Sequence, residues 1–246
     1  MINNKKYNIS TKAYKELAKF CADRNYVSLV QINNFLAGKG YNYSKETIKN
    51  YIAQLKNSKV IYSAGRGYYS TIENEFKAKQ DDLREIIQLI KEKYPLLNFS
   101  IWSTKILSPF FHHTQNRFYF FLYSEIDALP LIRDFLFENN YKVFLNPSKN
   151  DKNFILTDNM IILRSDITRS KSQSNIAVIE KILVDYLIES ERLDLLDFSE
   201  YEKVFNSIIT SFRLNISYLF DYAERRKIED KIKTLTVRHT NATFGV

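Results

Sequence analysis

Three short helical patterns open the chain. In the first, over residues 11–25 with Ser10 as the expected N-cap, the residues that share one apolar face are Tyr14, Leu17, Ala18 and Cys21. The second begins at Ser28, whose spacing to Gln31 is that of a capping box. It ends at Gly38-Lys39-Gly40, because glycine permits the left-handed backbone that often closes a helix.

The third helical pattern is followed by a hairpin pattern. Ser44 is the expected N-cap, and the apolar positions after it are Ile48, Tyr51, Ile52 and Leu55. Two β-prone runs, residues 60–62 and 68–69, flank a glycine-containing tip, which predicts a β-hairpin. Three helices and a hairpin in this order are typical of a winged helix-turn-helix, which we expect over residues 1–72.

The rest of the chain alternates between strand and helix patterns and then becomes helical. A polar stretch at 71–80 is the expected linker. Helices are predicted from about residue 83 to before Pro95 and over 129–139, and strands over 99–102, 117–123, 142–145, 154–156 and 160–164. The expected C-terminal helices carry the stripe Ile176, Ile179, Leu183 and Leu187, then a capping box formed by Ser199 and Glu202, and a last helix from about 217 past 226. The predicted fold class is therefore α+β: a winged helix-turn-helix and a mixed α/β domain over 80–246 that ends in a helical segment.

Positive charge is concentrated at the start of the chain. The whole protein carries +8, but residues 1–70 hold twelve basic and only three acidic side chains, a net charge of +9. The remaining residues carry −1. A basic module joined to a nearly neutral one indicates that a polyanion binds the first, although a solvated lysine surface gives the same count.

The third helix supplies the expected DNA-binding residues. In a helix-turn-helix the second helix of the motif enters the major groove with its N-terminal residues nearest the bases. Asn50 suits an adenine edge, while Lys45 and Lys49 suit guanine or phosphate. Ser44 and Thr47 are placed for phosphate at the helix N-terminus.

The hairpin tip adds one more candidate contact, because Arg66 there is suited to the minor groove or the backbone. A winged helix that contacts protein instead of DNA is the structural alternative for the whole surface.

No catalytic or metal-binding motif stands out. His112 and His113 are adjacent, which points them apart, and no phosphate-binding glycine loop is present in the sequence. Asp158 and Asp166, followed by Glu180-Lys181, suggest a metal-dependent nuclease only weakly, because their spacing matches no defined site. We therefore predict a non-enzyme with no cofactor and no metal.

The remaining composition points to the cytoplasm. The single cysteine, Cys21, falls on an apolar helix face, which predicts a buried core thiol. No signal-like N-terminus or membrane-spanning apolar run is found in the sequence, so we expect no membrane association.

Several short motifs, taken in order, resemble the AbiEi-type antitoxins of type IV toxin–antitoxin (abortive infection) systems and related uncharacterised winged-helix proteins. The more telling motifs are Ile179-Glu180-Lys181-Ile182-Leu183-Val184-Asp185 and Leu219-Phe220-Asp221-Tyr222-Ala223-Glu224-Arg225-Arg226. The other matching motifs are Leu55-Lys56-Asn57-Ser58-Lys59-Val60-Ile61, Gly67-Tyr68-Tyr69, Tyr94-Pro95, Ile101-Trp102-Ser103-Thr104 and Asn146-Pro147.

The resemblance implies a transcriptional autorepressor that binds repeats in its own promoter. It also implies a C-terminal domain that counters a nucleotidyltransferase-like toxin without a stable complex. The antitoxin-domain candidates are Glu180, Lys181, Asp185, Arg225 and Arg226. From the residues alone, an ion-pair role for these side chains is the alternative, and Glu180 and Asp185, five apart, are not expected to stack as i,i+4 partners. Two other functions remain open: a DNA-targeted nuclease or nucleotidyltransferase, and a winged-helix adaptor that binds only protein.

Overall fold

The computed structural model describes residues 12–78, 81–111, 115–152, 154–167 and 170–240, and this part of the chain divides into two compact units. The first unit contains the described residues up to Glu75, the segment Ile209–Phe220 and the residues from Asp230 onward. The second unit contains Phe76–Ile208 and Asp221–Glu229. Each unit holds one sheet, and the fold is mixed α/β, as the sequence predicts.

The first unit begins with three helices and a small antiparallel sheet. Its N-terminal elements are α1 (Lys12–Ala22), β1 (Tyr26–Ser28), α2 (Leu29–Gly38), α3 (Lys45–Asn57), β2 (Tyr62–Ser63) and β3 (Tyr68–Ser70). The strand order is β1-β3-β2. Residues 26–28 are a strand that the helical periodicity did not predict, and β1 extends the hairpin by pairing with β3.

The predicted helix faces form the core of this unit. Leu17, Ile32 and Leu55 are fully buried beside Cys21. The capping box at the start of α2 is present, since the Gln31 N–H donates to Ser28 Oγ and the Ser28 N–H donates to the Gln31 side chain. The predicted cap at Ser10 lies outside the described residues.

Two C-terminal segments complete the first unit. The Tyr26 hydroxyl, fully buried, donates to the Phe212 carbonyl at 2.8 Å and accepts from the Leu214 N–H at 2.9 Å. The Ile216 N–H donates to the Ala64 carbonyl at 2.8 Å. The sequence assigned these C-terminal residues to a separate domain over 80–246, and the compact units divide the chain differently.

The second unit is built on a six-stranded sheet in the order β6-β7-β5-β4-β9-β8. These strands are β4 (Phe99–Ser103), β5 (Tyr119–Ser124), β6 (Val143–Leu145), β7 (Met160–Ser165), β8 (Ser172–Gln173) and β9 (Ile176–Ala177). The helices from residue 81 onward are α4 (Asp81–Lys93), α5 (Leu129–Glu138), α6 (Ile179–Leu193), α7 (Phe198–Ser211), α8 (Ile216–Arg225) and α9 (Glu229–Thr240). The strands β5, β6 and β7 run parallel, and β4 is antiparallel to β5.

Helix α6 packs on one face of this sheet. The Trp102 ring stacks on Phe121 at 4.5 Å and meets Tyr186 of α6 edge-on at 6.0 Å. Nine consecutive α6 positions, residues 179–187, are all buried, which is unusual for a surface helix and forces its polar side chains to find partners inside the protein.

Four details of the predicted secondary structure were wrong. Residues 154–156 form no strand, and Ile155 is exposed. Ile176 lies in β9, so it does not begin the α6 stripe. Helix α7 starts before Ser199, and the cap is Asp197, whose carboxylate accepts the Glu200 N–H at 3.0 Å. The last helix is two helices, because the chain turns at Lys227 with a φ of 61°.

Within the described residues, no helix is both long and apolar enough to span a membrane.

Candidate functional site

Helix α3 presents the predicted polar side chains on its outer surface. Ile48, Ile52 and Leu55 are buried, so the helix has a fixed rotation about its axis. Lys45 and Lys49 are consequently exposed. Asn50 is half-buried on the same turn. The first half of α3 therefore offers two cations, one amide and the Glu46 carboxylate to the outside.

The start of α3 is capped as predicted. The Thr47 N–H donates to Ser44 Oγ at 3.2 Å, and the two hydroxyls lie 3.0 Å apart. The Ser44 hydroxyl is thus occupied by the cap, while Ser44 remains exposed and Thr47 half-buried. A phosphate at this point would meet a preformed helix N-terminus.

The hairpin tip is anchored against the start of α8. The Arg66 N–H donates to Ser217 Oγ at 3.0 Å, while the residue as a whole is exposed. Gly65 has a φ of +99°, and a Cβ there would overlap the Asn215 and Ser217 side chains. The tip is therefore fixed by contacts within the first unit, and Arg66 is presented from a constrained backbone.

The added C-terminal segments make the first unit more basic. Residues 209–220 and 230–246 contribute four basic side chains and one acidic side chain. With the two glutamates at 73 and 75 included, the first unit carries +10 and the second −2. The charge asymmetry of the sequence is thus larger between the structural units than between the predicted domains.

A second group of functional candidates lies inside the second unit, around Lys181. This side chain is fully buried, and its Nζ donates to Asp185 Oδ2 at 2.8 Å and to the Tyr222 hydroxyl at 2.7 Å. It also lies 3.5 Å from Asp166 Oδ1 and 3.7 Å from the centre of the Tyr123 ring. The ammonium group is therefore compensated by carboxylates and by two aromatic rings.

The Asp185 carboxylate contacts three side chains around Lys181. Besides Lys181, its carboxylate accepts the Tyr222 hydroxyl at 3.0 Å and lies 3.3 Å from Arg226 Nε. We call Lys181, Asp185, Tyr222 and Arg226 the buried charge cluster. Burial and the Asp185 carboxylate raise the pKa of Tyr222 well above its ordinary value, so its hydroxyl keeps the proton that it donates.

A second buried ion pair lies in the same unit, on β7 and α6. Arg164 and Glu189 are both buried and form a bidentate contact, with Nε–Oε distances of 3.0 Å. Arg192 adds a contact of 3.3 Å to the same carboxylate. Burial also raises the pKa of Tyr123, and its hydroxyl has no hydrogen-bond partner among the described residues.

The structure brings together three of the five antitoxin-domain candidates. Lys181, Asp185 and Arg226 meet in the buried charge cluster. Arg225 instead pairs with Asp221 on the helix surface at 2.9 Å, and Glu180 is buried in the first turn of α6. The relevant i,i+4 pair on α6 is Lys181–Asp185, and the sequence interpretation, which compared Glu180 with Asp185, missed it.

The sequence interpretation also missed Arg164 and Glu189, although the sequence contains a signal for each. Arg164 is a charge at the end of the otherwise apolar run Met160-Ile161-Ile162-Leu163, and Glu189 repeats the four-residue spacing of Lys181 and Asp185. A charge inside a buried element requires a partner, which is the reasoning that would have found both.

The two carboxylates considered for a nuclease do not form one site. Asp158 precedes β7, where it accepts the Phe118 N–H at 2.7 Å, and Asp166 follows the same strand. The length of β7, about 20 Å at the ordinary strand rise, separates them. Among the described residues, no group of three or more histidine, cysteine or acidic side chains is placed to hold a metal ion, and the adjacent His112 and His113 lie outside those residues.

No curated protein matches this chain. A family model described as a family of unknown function, DUF6577, matches residues 47–242, from the first turn of α3 to just beyond α9. The match covers most of the sequence, and the chain belongs to this family.

Proposed function

We propose that the first unit is a winged helix-turn-helix that binds double-stranded DNA, with α3 as the recognition helix and the β2–β3 hairpin as the wing. The observation that carries the proposal is the outward display of Lys45, Lys49 and Asn50 from a helix whose opposite face is buried. The element order and the net charge of +10 on this unit support it.

The proposed contacts divide by role. Asn50 and Lys49 lie one turn into α3, where side chains reach base edges in the major groove. Ser44, Lys45 and Thr47 at the helix start contact phosphate, and Arg66 at the wing tip contacts the backbone or the minor groove. Base reading and backbone binding are thus assigned to different residues, which makes them separable by mutation.

The resemblance to AbiEi-type antitoxins extends the proposal to an autorepressor of a toxin–antitoxin operon. In this extension the promoter repeats are the DNA ligand, and a nucleotidyltransferase-like toxin is the functional partner. The second unit, which carries −2 and the buried charge cluster, takes the antitoxin role. The test is co-expression with the adjacent gene, where growth rescue by the full chain is expected. A neighbour that is not toxic alone would contradict this extension and leave the DNA-binding proposal standing.

DNA binding is tested by titrating operator and random duplexes with variants of the full chain. We expect Lys49→Ala and Asn50→Ala to cost roughly 1–3 kcal/mol of operator affinity, because a lost base contact costs about this much. Arg66→Ala should weaken both duplexes similarly. Affinity should also fall steeply with salt, because bound lysines displace counterions from phosphate.

Lys56→Ala is the matched control, since Lys56 is an exposed lysine in the last turn of the same helix. It should leave discrimination between the two duplexes unchanged. If Lys49→Ala, Asn50→Ala and Arg66→Ala all bind like the unmodified protein, the proposed surface is wrong.

A further inference from the structure

The tip of the β2–β3 hairpin is held by a segment that lies far along the chain. The Arg66 N–H donates to Ser217 Oγ at 3.0 Å, and the Ile216 N–H donates to the Ala64 carbonyl at 2.8 Å. These two hydrogen bonds lie on either side of Gly65, and all of these residues belong to the first unit. The backbone of the tip is therefore fixed at two points.

The Ser217 hydroxyl is used both as an acceptor and as a donor. It accepts from the Arg66 N–H and donates to Asn215 Oδ1 at 3.0 Å. Asn215 Oδ1 also accepts the Tyr218 N–H at 3.1 Å, so the same amide caps the start of α8. A chain of two hydrogen bonds thus connects the Arg66 backbone to the cap of a helix.

Close packing confines the tip as well. Gly65 has a φ of +99°, and a Cβ at this position would overlap the side chains of Asn215 and Ser217. Ala64 beside it is only 1% exposed, whereas Arg66 is exposed. The Arg66 side chain is therefore presented to the outside from a backbone that Asn215 and Ser217 hold.

A tip that is already held has an advantage in binding. A loop that becomes ordered only on binding loses conformational entropy, and that loss lowers its affinity. We propose, on the basis of the DNA-binding function proposed above, that Ser217 and Asn215 are positioning residues for the DNA contact of Arg66.

A double-mutant cycle on the full chain tests the proposal. Ser217→Ala should weaken binding to operator and random duplexes by about threefold to tenfold, the factor that loss of one neutral hydrogen bond commonly produces. In protein that already carries Arg66→Ala, Ser217→Ala should change the affinity little, because no side chain remains to be positioned. A purely structural role of Ser217 would instead lower the affinity by the same factor in both backgrounds.

Ser211→Ala is the matched control, since Ser211 is an exposed serine at the end of α7 in the same segment. It should leave both affinities unchanged. Thermal unfolding establishes that each variant is folded at the temperature of the titration. If Ser217→Ala is not folded there, Asn215→Ser takes its place in the cycle, because serine still caps a helix but lacks the amide oxygen that holds the Ser217 hydroxyl.

The possible failures of the two proposals are distinguishable. If Arg66→Ala weakens binding but Ser217→Ala does not, or if the two effects add, the positioning role is overturned and the DNA-binding proposal stands. If Lys49→Ala weakens binding and Arg66→Ala does not, the hairpin tip makes no DNA contact and the positioning role is again overturned. Unchanged affinity in Lys49→Ala, Asn50→Ala and Arg66→Ala would overturn both proposals.

Discussion

At the residue scale, the second unit keeps several charges away from water by pairing each with an opposite charge. The Asp185 carboxylate pairs with both Lys181 and Arg226, and the Glu189 carboxylate pairs with both Arg164 and Arg192. Removing one member of such a group leaves the others buried without compensation, which costs more than the intact pair contributes. Each of these buried charges is therefore stable in the interior only while its partner is present.

Replacing Asp185 tests this dependence. Asp185→Asn keeps the shape of the side chain but leaves Lys181 and Arg226 unbalanced, so we expect a loss of roughly 3–5 kcal/mol in the free energy of unfolding. Urea denaturation followed by circular dichroism measures it. Asp221→Asn is the control: it removes the half-exposed partner of Arg225 and should cost no more than about 1 kcal/mol. Equal effects of the two changes would contradict a special role for Asp185.

The thiol of Cys21 is a second residue with a defined expectation. Burial raises its pKa to about 12, and Arg24 offsets only part of this rise. Since the thiolate is the reactive form, the native protein should react with a disulfide reagent at pH 8 far more slowly than the protein in denaturant does. Absorbance of the released thiol measures both rates. Equally fast labelling in both states would show that the residue is not buried as described.

At the scale of elements, the hairpin depends on one glycine more than on the other. Gly65 and Gly67 both have positive φ, +99° and +79°. A Cβ on Gly67 would meet nothing within 4 Å, whereas a Cβ on Gly65 would overlap Asn215 and Ser217. The two positions therefore separate backbone strain from close packing.

Gly65→Ala should destabilise the protein more than Gly67→Ala does. Gly67→Ala carries only the backbone cost, about 1 kcal/mol, because alanine is strained at positive φ. Gly65→Ala adds displacement of the start of α8 and, if the proposed DNA-binding function holds, should lower operator affinity through movement of the hairpin tip. Thermal unfolding and operator titration of the two variants measure these effects. If Gly67→Ala is the more harmful change, the tip does not pack as described.

Periodicity predicted the elements well where one face of an element is buried and the other is exposed. Helices α1 to α3 follow their patterns closely, because their buried positions recur every three to four residues. Strand β1 was missed because its three residues, Tyr26, Val27 and Ser28, are all buried and show no alternation. The break at Lys227 was missed because a lysine with positive φ carries no signal in composition.

The exposed residues of α3 were predictable from the sequence, and most of the buried charge cluster was not. Lys45, Lys49 and Asn50 follow from the rotation of α3, which the pattern of Ile48, Ile52 and Leu55 already fixes. The buried charge cluster depends on tertiary contacts between α6, β5 and α8, and no spacing along the chain reveals those. The Lys181–Asp185 pair and Glu189 follow one another at a four-residue spacing along α6, and the sequence interpretation missed both.

At the scale of the whole molecule, the first unit is discontinuous in sequence. Its hydrogen bonds from Tyr26 reach residues 212 and 214, and Arg213 pairs with Glu75. An isolated fragment of residues 1–75 should therefore be much less stable than the same residues in the full chain. Thermal unfolding of that fragment, compared with the fragment mixed with a peptide of residues 209–220, measures the difference. A fragment that melts cooperatively at the temperature of the full chain would contradict this prediction.

The discontinuity has a consequence for biosynthesis. The segment that carries α3 leaves the ribosome before the residues that complete its unit, which extend to the end of α9 at Thr240. At about 5–20 residues per second, the intervening chain takes on the order of 10–30 s to be made. During that interval the basic segment lacks the partners of Tyr26 and of the hairpin tip. A polypeptide terminated before these residues would then lack a complete first unit.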